Sequence, residues 1–210
     1  MTDDVRASYD AMAELYAALF LGELERDTNF QDWLARFASL ATVQTGIVAD
    51  VGCGPGQVVD HLSELGLNVI GYDLSRGQIA QAQKAFPDST FHVGDLAAID
   101  AADSSLGGIV SRYSIIHLLP ARLCEVFVEW MRVLEPGAPV LVSFFGSTTA
   151  DAHGTPFDHK VATAYELLPA AVADQLRDVG FTDIEVGVLP PPEGGRPFDQ
   201  GTILTRKPEN

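Results

Sequence analysis

The chain has 210 residues, of which 47% are hydrophobic and 20% charged, a balance that fits one globular domain and excludes wholesale disorder. Its net charge is −16, from 13 basic and 29 acidic residues. That surplus offers no clustered Lys and Arg for a nucleic acid or an anionic membrane and favours a small neutral or cationic partner.

In chain order, the first 40 or so residues read as helix. Tyr9, Met12, Leu15, Tyr16, Leu19 and Phe20 recur at spacings of three and four, and a second helix is expected from Phe30 or Gln31 through Leu34, Phe37 and Leu40. Ile47-Val48-Ala49-Asp50-Val51 is a short apolar run ending in glycines, the pattern of a buried strand. A helix follows with Val58, Val59, Leu62 and Leu65 on its inner face, and Gly66 closes it. The next strand is 68–73, and Ser75 is the expected N-cap of a helix through Ile79, Ala82 and Phe86. Strands are expected at 90–93, 108–112 and 139–145, with a helix over 120–134 whose stripe includes Trp130; Trp33 also reads as helix core. Residues 146–158 read as an exposed loop. A helix over 169–179 stops at Gly180, and strands 182–188 and 201–205 pair antiparallel at one edge. The run Leu189-Pro190-Pro191-Pro192 reads as a stiff connector between them. Alternating strands and helices of this length imply a parallel sheet covered on both faces.

Two cysteines, Cys53 and Cys124, make no disulfide framework and no metal spacing, which suits a reducing, cytoplasmic setting. The acidic start shows no signal peptide, and no apolar run approaches the roughly 18 residues of a membrane span.

Ligands of open parallel sheets bind beyond the carboxyl ends of the strands. Here Gly52-Cys53-Gly54-Pro55-Gly56 follows the first strand and opens a helix, so backbone amides can approach a bound molecule. The dinucleotide fingerprint needs a sixth-position glycine, and this chain has Gln57. Asp50 would repel a pyrophosphate and attract a cation. A nicotinamide-dependent oxidoreductase is thus disfavoured twice. Asp73, about 20 residues beyond the loop, can accept hydrogen bonds from both ribose hydroxyls. Leu74 and Ile79 are candidates to pack against a base, and Gly94-Asp95-Leu96 follows the third strand. All three carboxylates fall after successive strands, on one sheet edge.

This set, with Ser111-Arg112-Tyr113-Ser114 after the fourth strand, resembles the successive motifs of class I S-adenosylmethionine-dependent methyltransferases over most of the chain. The resemblance implies a three-layer α/β Rossmann-like sandwich. Its seven-stranded, mostly parallel sheet runs 3-2-1-4-5-7-6 with strand seven antiparallel. One domain is expected over 1–210, with residues 1–44 as a helical lid and 45–210 as the core. Gly52, Cys53, Gly54 and Gly56 would hold the methionine part, with Asp50 nearby. Asp73 would bind the ribose, Gly94, Asp95 and Leu96 the adenine, and Ser111 and Arg112 the methyl side. Tyr9 and Tyr16, in Tyr9-Asp10-x-x-Ala13-x-x-Tyr16, resemble a lid that closes over the cofactor. The chain lacks the Asn/Asp-Pro-Pro-Tyr of base-methylating members and the acidic residues of a catechol-type metal site. That leaves a small-molecule acceptor, no nucleic acid, no membrane and no metal, with a homodimer left open.

Methyl transfer from a sulfonium mainly needs alignment and exclusion of water. A base is needed only for a hydroxyl or a protonated amine, and His117, His153 and His159 are the candidates. Cys53 reads as a small packed residue rather than a nucleophile. A non-enzymatic module that binds the cofactor or a metabolite remains the alternative, because the motifs say nothing about turnover.

Overall fold

A computed structural model describes residues 3–41, 46–147, 149–191 and 195–209. The strands are β1 (Ile47–Val51), β2 (Val69–Asp73), β3 (Thr90–Val93), β4 (Leu106–Arg112), β5 (Pro139–Gly146), β6 (Pro156–Asp158), β7 (Thr163–Tyr165), β8 (Thr182–Leu189) and β9 (Asp199–Arg206). The helices are α1 (Asp3–Phe20), α2 (Thr28–Leu40), α3 (Gln57–Glu64), α4 (Arg76–Ala85), α5 (Leu123–Val133) and α6 (Pro169–Val179).

Seven strands form one sheet in the order β3-β2-β1-β4-β5-β9-β8, and β9 runs antiparallel to both of its neighbours. Counted within that sheet, the order is the expected 3-2-1-4-5-7-6. The numbering differs because β6 and β7 form a separate two-stranded hairpin. Consecutive strand residues point to opposite faces, so each strand feeds two cores. Val48, Val110, Leu141 and Leu204 pack with α2, α3 and α4, whereas their neighbours Ala49, Ile109, Val140 and Ile203 pack with α5 and α6. Helix, sheet and helix make the three layers.

Local chemistry sets the boundaries. Asp27 caps α2 by accepting the Phe30 amide at 3.0 Å, and Ser75 caps α4 by accepting the Gln78 amide at 3.0 Å. Gly180 ends α6 in the left-handed conformation at φ +111°.

Several expectations are corrected. Residues 146–158 are not simply an exposed loop: their end forms β6, the buried Ser147 lies among them, and the Leu167 amide bonds the Phe145 carbonyl at 3.1 Å. Each strand of this hairpin is three residues long, too short for a readable period. The predicted helix over 120–134 begins with a 3-10 turn, Pro120–Arg122, before α5. Leu65 lies outside α3 and is 44% exposed. On α1 the buried residues are Val5, Ala13 and Ala17, while Leu15 and Leu19 are exposed. Small residues win there because α1 crosses α4 closely: a Cβ on Gly77 would stand 2.8 Å from the Ala13 Cβ. Trp130 is fully buried, and Trp33 is a partly buried residue against Gly187 of β8. Pro192 of the proline run lies outside the described residues.

Candidate active site

The site is built where β1, β2 and β4 end side by side. The amides of Gly52 and Cys53 both donate to the Tyr72 carbonyl, at 2.7 and 3.0 Å, and the Gly54 amide donates to Asp73 Oδ2 at 2.9 Å. The loop after β1 is thereby fastened to the end of β2. Gly52 is required twice over: its φ is +79°, and an added Cβ would stand 2.2 Å from the Ser114 Cβ. Ser114 reaches back to the Val51 carbonyl at 3.0 Å and pairs with the buried Ser111 hydroxyl. Gly56 starts α3 in the left-handed conformation and faces Phe91. It shapes the loop rather than the cavity surface.

Two carboxylates meet at this loop. Asp73 accepts the Ser75 amide on Oδ1 at 2.8 Å and the Gly54 amide on Oδ2; burial nevertheless pushes its pKa up to about 6. Each oxygen retains a lone pair for a further donor. Asp50 is 1% exposed, and its Oδ2 has no hydrogen-bond partner. Burial, then the negative Asp73, push its pKa up to about 8, partly offset by Arg112. A buried acceptor left unpaired is costly unless a donor arrives.

Over the loop lie Tyr9 and Tyr16 of α1, edge to face at 5.5 Å. Asp10 fastens α1 to the start of α4 by accepting the Ser75 hydroxyl at 2.7 Å and the Gly77 amide at 2.8 Å. Tyr9 donates to His117 Nε2 at 2.8 Å. The assignment follows from the other nitrogen: Nδ1 lies 2.8 Å from the Thr163 carbonyl, which only accepts, so Nδ1 carries the proton. Burial lowers the His117 pKa and keeps the ring neutral. Beneath the tyrosines two cavities flank the loop, each of about 50 Å³. Asp73, Leu74 and Ser75 line one; Asp50, Cys53 and Gln57 line the other; Tyr16, Gly52, Gly54, Arg112 and Tyr113 line both. Ligand cavities are several times larger. The tyrosines are closed down on the loop.

Arg112 is nearly buried and pairs with Asp27 at 2.8 Å and Glu23 at 3.5 Å, which ties the segment between α1 and α2 to the end of β4. Tyr113 sits next to it in the left-handed region at φ +53°. That conformation is unusual for a bulky residue and marks a constrained site.

Other expected residues have different work. Ile79 and Leu96 belong to the two cores, because α4 and the turn after β3 direct them inward; neither lines the loop cavities. Ser111 is also fully buried and acts on the loop only through Ser114. Gly94 packs on Tyr72 and donates to the Asp73 carbonyl at 2.9 Å, while Asp95 Oδ1 accepts the Ala97 amide at 2.9 Å. His153 Nδ1 accepts the Leu168 amide at 3.0 Å, a structural bond away from the loop cavities. His159 is buried against His117 at 5.3 Å between ring centroids, and its pKa is driven down to about 3, first by burial and then by the charges nearby. Cys53 is buried behind the loop, where burial raises its thiol pKa. Residues missed in the sequence are Asp10, Tyr113 and Ser114. Only Asp10 carried a local signal, a carboxylate in the quoted α1 motif able to meet a helix N-terminus. Among the described residues no group of three or more His, Cys, Asp or Glu could hold a metal, and no helix is long and apolar enough to cross a membrane.

A methyltransferase domain model matches residues 48–137, the span from β1 to just beyond α5. The chain is 27% identical over 92% of its length to dTDP-3-amino-3,4,6-trideoxy-alpha-D-glucopyranose N,N-dimethyltransferase of Streptomyces venezuelae, covering 82% of that protein. It is 26% identical over 71% of its length to demethylmenaquinone methyltransferase of Renibacterium salmoninarum, covering 59% of it. The chain carries a methyltransferase domain and is similar to S-adenosylmethionine-dependent methyltransferases. Magnesium protoporphyrin IX methyltransferase of Synechocystis, crystallised with bound S-adenosylmethionine, shares the fold of this methyltransferase at a TM-score of 0.73 and 16% identity, over 99% of this chain and 98% of that one. The loop of this methyltransferase fits that cofactor. The unpaired Asp50 oxygen suits a cation, and Gly52 and Gly54 clear the backbone for close approach.

Proposed function

We propose that this methyltransferase moves the methyl group of S-adenosylmethionine onto an oxygen or nitrogen of a small-molecule acceptor. The observation that carries the reading is Asp50, a buried carboxylate with an unpartnered oxygen at the glycine loop. When bound, the cofactor supplies a methyl group on a sulfonium, which leaves as a neutral thioether. The chain's residues do the rest. Asp50 faces the cationic methionine part, and Gly52, Cys53, Gly54 and Gly56 shape its seat. Asp73 accepts the ribose hydroxyls while holding the loop, and Leu74, Gly94 and Asp95 stand on the adenine side. Within the region 1–44 expected as a lid over a core of 45–210, α1 covers the site, with Tyr9 and Tyr16 excluding water, while Leu34 and Phe37 of α2 pack on the sheet.

The bound cofactor would supply its methyl carbon to the acceptor's lone pair, the electrons of the carbon–sulfur bond remaining on sulfur. The acceptor's proton goes to His117 Nε2 once the Tyr9 hydroxyl turns away, and then to solvent. His117 suits this step because it is neutral and its tautomer is fixed by Thr163. His159 and His153 are poorer bases: burial drives the pKa of the first down to about 3, and the second spends Nδ1 on the Leu168 amide. The two free thiols, Cys53 and Cys124, suit a cytoplasmic setting.

Asp73→Ala tests the assignment. Calorimetry with S-adenosylhomocysteine should show affinity lowered by about tenfold or more for the loss of two charge-assisted bonds, with the circular dichroism spectrum unchanged. Equal affinity would remove Asp73 from the site. Transfer of tritiated methyl to a panel of phenols and amines separates the enzyme from a pure binding module, which would bind the cofactor and methylate none of them.

A further inference from the structure

A third cavity, of about 230 Å³, opens beside the cofactor loop and shares Tyr16 and Tyr113 with it. Its walls are rings. Tyr113 stacks on Phe145 at 4.7 Å between centroids and 29° between planes, Phe198 stands 5.9 Å from Phe145, and Phe20 lies against Tyr16 at 4.5 Å. A cavity of roughly 150 Å³ lined by apolar side chains holds benzene, so this one has room for one or two fused rings. Flat rings pack offset or edge to face against such walls better than saturated ones do.

Two charged side chains line the cavity, Arg196 and Glu23. Arg196 lies over the Phe145 ring at 5.7 Å and donates to the carbonyls of His159 at 2.6 Å and Asp158 at 3.3 Å. Those carbonyls orient the guanidinium without cancelling its charge; among the described residues no carboxylate lies within ion-pair distance of it, the nearby Asp158 carboxylate being bonded to Lys160. Glu23, the acid on the same wall, lies 3.5 Å from Arg112, which it shares with Asp27 at 2.8 Å. Aromatic walls also attract cations, but here a guanidinium already occupies that role and would repel a second one. His159 lines the same cavity, nine-tenths buried, with Nδ1 unpartnered; His117 does not line it and lies against His159, at 5.3 Å between ring centroids.

We propose that this cavity takes the methyl acceptor and that the acceptor is a flat aromatic compound carrying an anionic group, its ring against Tyr113, Phe145 and Phe198 and its charge at Arg196. The proposal rests on the methyltransferase reading for the word acceptor, whereas ring and charge recognition are tested on their own. The probes are 2-naphthoate, its saturated counterpart decahydro-2-naphthoate, and 2-naphthylmethylamine. Each is titrated into the full chain with and without S-adenosylhomocysteine. The expected result is that 2-naphthoate binds at least tenfold tighter than either of the others. Phe198→Leu should weaken it several-fold. Arg196→Gln should weaken it at least tenfold and erase its advantage over the amine, with S-adenosylhomocysteine affinity unchanged in both variants as the check on folding. Equal affinity for 2-naphthoate and its saturated counterpart overturns the aromatic assignment. Tighter binding of the amine overturns the anionic one and points to an ammonium acceptor. If 2-naphthoate binds as expected while S-adenosylhomocysteine does not, the cavity assignment stands and the methyltransferase reading falls.

Discussion

Asp50 is the residue on which the chemistry turns, and its titration makes it testable. In the empty protein burial and Asp73 hold its pKa up near 8, so the group is mostly protonated at pH 7. A folded-state pKa above the unfolded one means that this contribution to stability is complete at low pH and is lost as the pH rises through about 8. A cationic ligand favours the ionised form. Cofactor binding below pH 8 should therefore release a proton, and affinity should rise with pH by up to about tenfold per unit before levelling above 8. Calorimetry in two buffers of different ionisation enthalpy measures the proton directly. No release between pH 6 and 7.5 would show that Asp50 does not meet the cation. Asp50 and Asp73 were legible as residues because each stands at a fixed offset from the glycine run. Tyr113 was not, because its left-handed backbone is imposed by its surroundings, including the 2.9 Å bond from its amide to the Ser143 carbonyl.

At the scale of elements, α1 is held over the site by a small number of contacts. Asp10 grips Ser75 and Gly77 on α4, Tyr9 grips His117, and Gly77 lets Ala13 come close. Admission of a ligand to cavities of about 50 Å³ requires these contacts to open. Asp10→Ala should raise amide exchange across α1 by about tenfold, the effect of losing hydrogen bonds of ordinary strength, and leave exchange in β1 and β4 unchanged. Exchange in α1 equal to that of the parent protein would mean that the helix is held by its apolar side alone. The helix itself was readable from its period, but which side it buries was not. Exposed Leu15 and Leu19 beside buried Ala13 and Ala17 invert the usual ranking, since close crossing over Gly77 selects small side chains. Likewise β6 and β7 are too short for pattern to show, and β7 is tied to the site where the Thr163 carbonyl accepts from His117 Nδ1.

Across the whole molecule, a parallel sheet with an antiparallel pair at its edge was legible from strands that alternate with helices, each with its own turn chemistry at Gly66, Ser75 and Gly180, whereas the strand order came from the family resemblance. The cofactor loop is local in sequence and so was visible there. The aromatic cavity is not local: Tyr16, Tyr113, Phe145 and Phe198 come from four separate parts of the chain and meet only in the folded sheet. The same logic explains why Ile79 and Leu96, adjacent to the motifs, turned out to be core.

Thermal denaturation of the chain with S-adenosylmethionine, S-adenosylhomocysteine and, as control, reduced nicotinamide adenine dinucleotide tests directly which ligand the glycine loop holds. A ligand that binds only the native state stabilises by about 2.7 kcal/mol at a hundred times its dissociation constant, or about 5–10 °C for a chain of this size. That shift is expected with the first two ligands and not with the third. No shift with either adenosyl compound, or an equal shift with the dinucleotide, would contradict the assignment of the glycine loop.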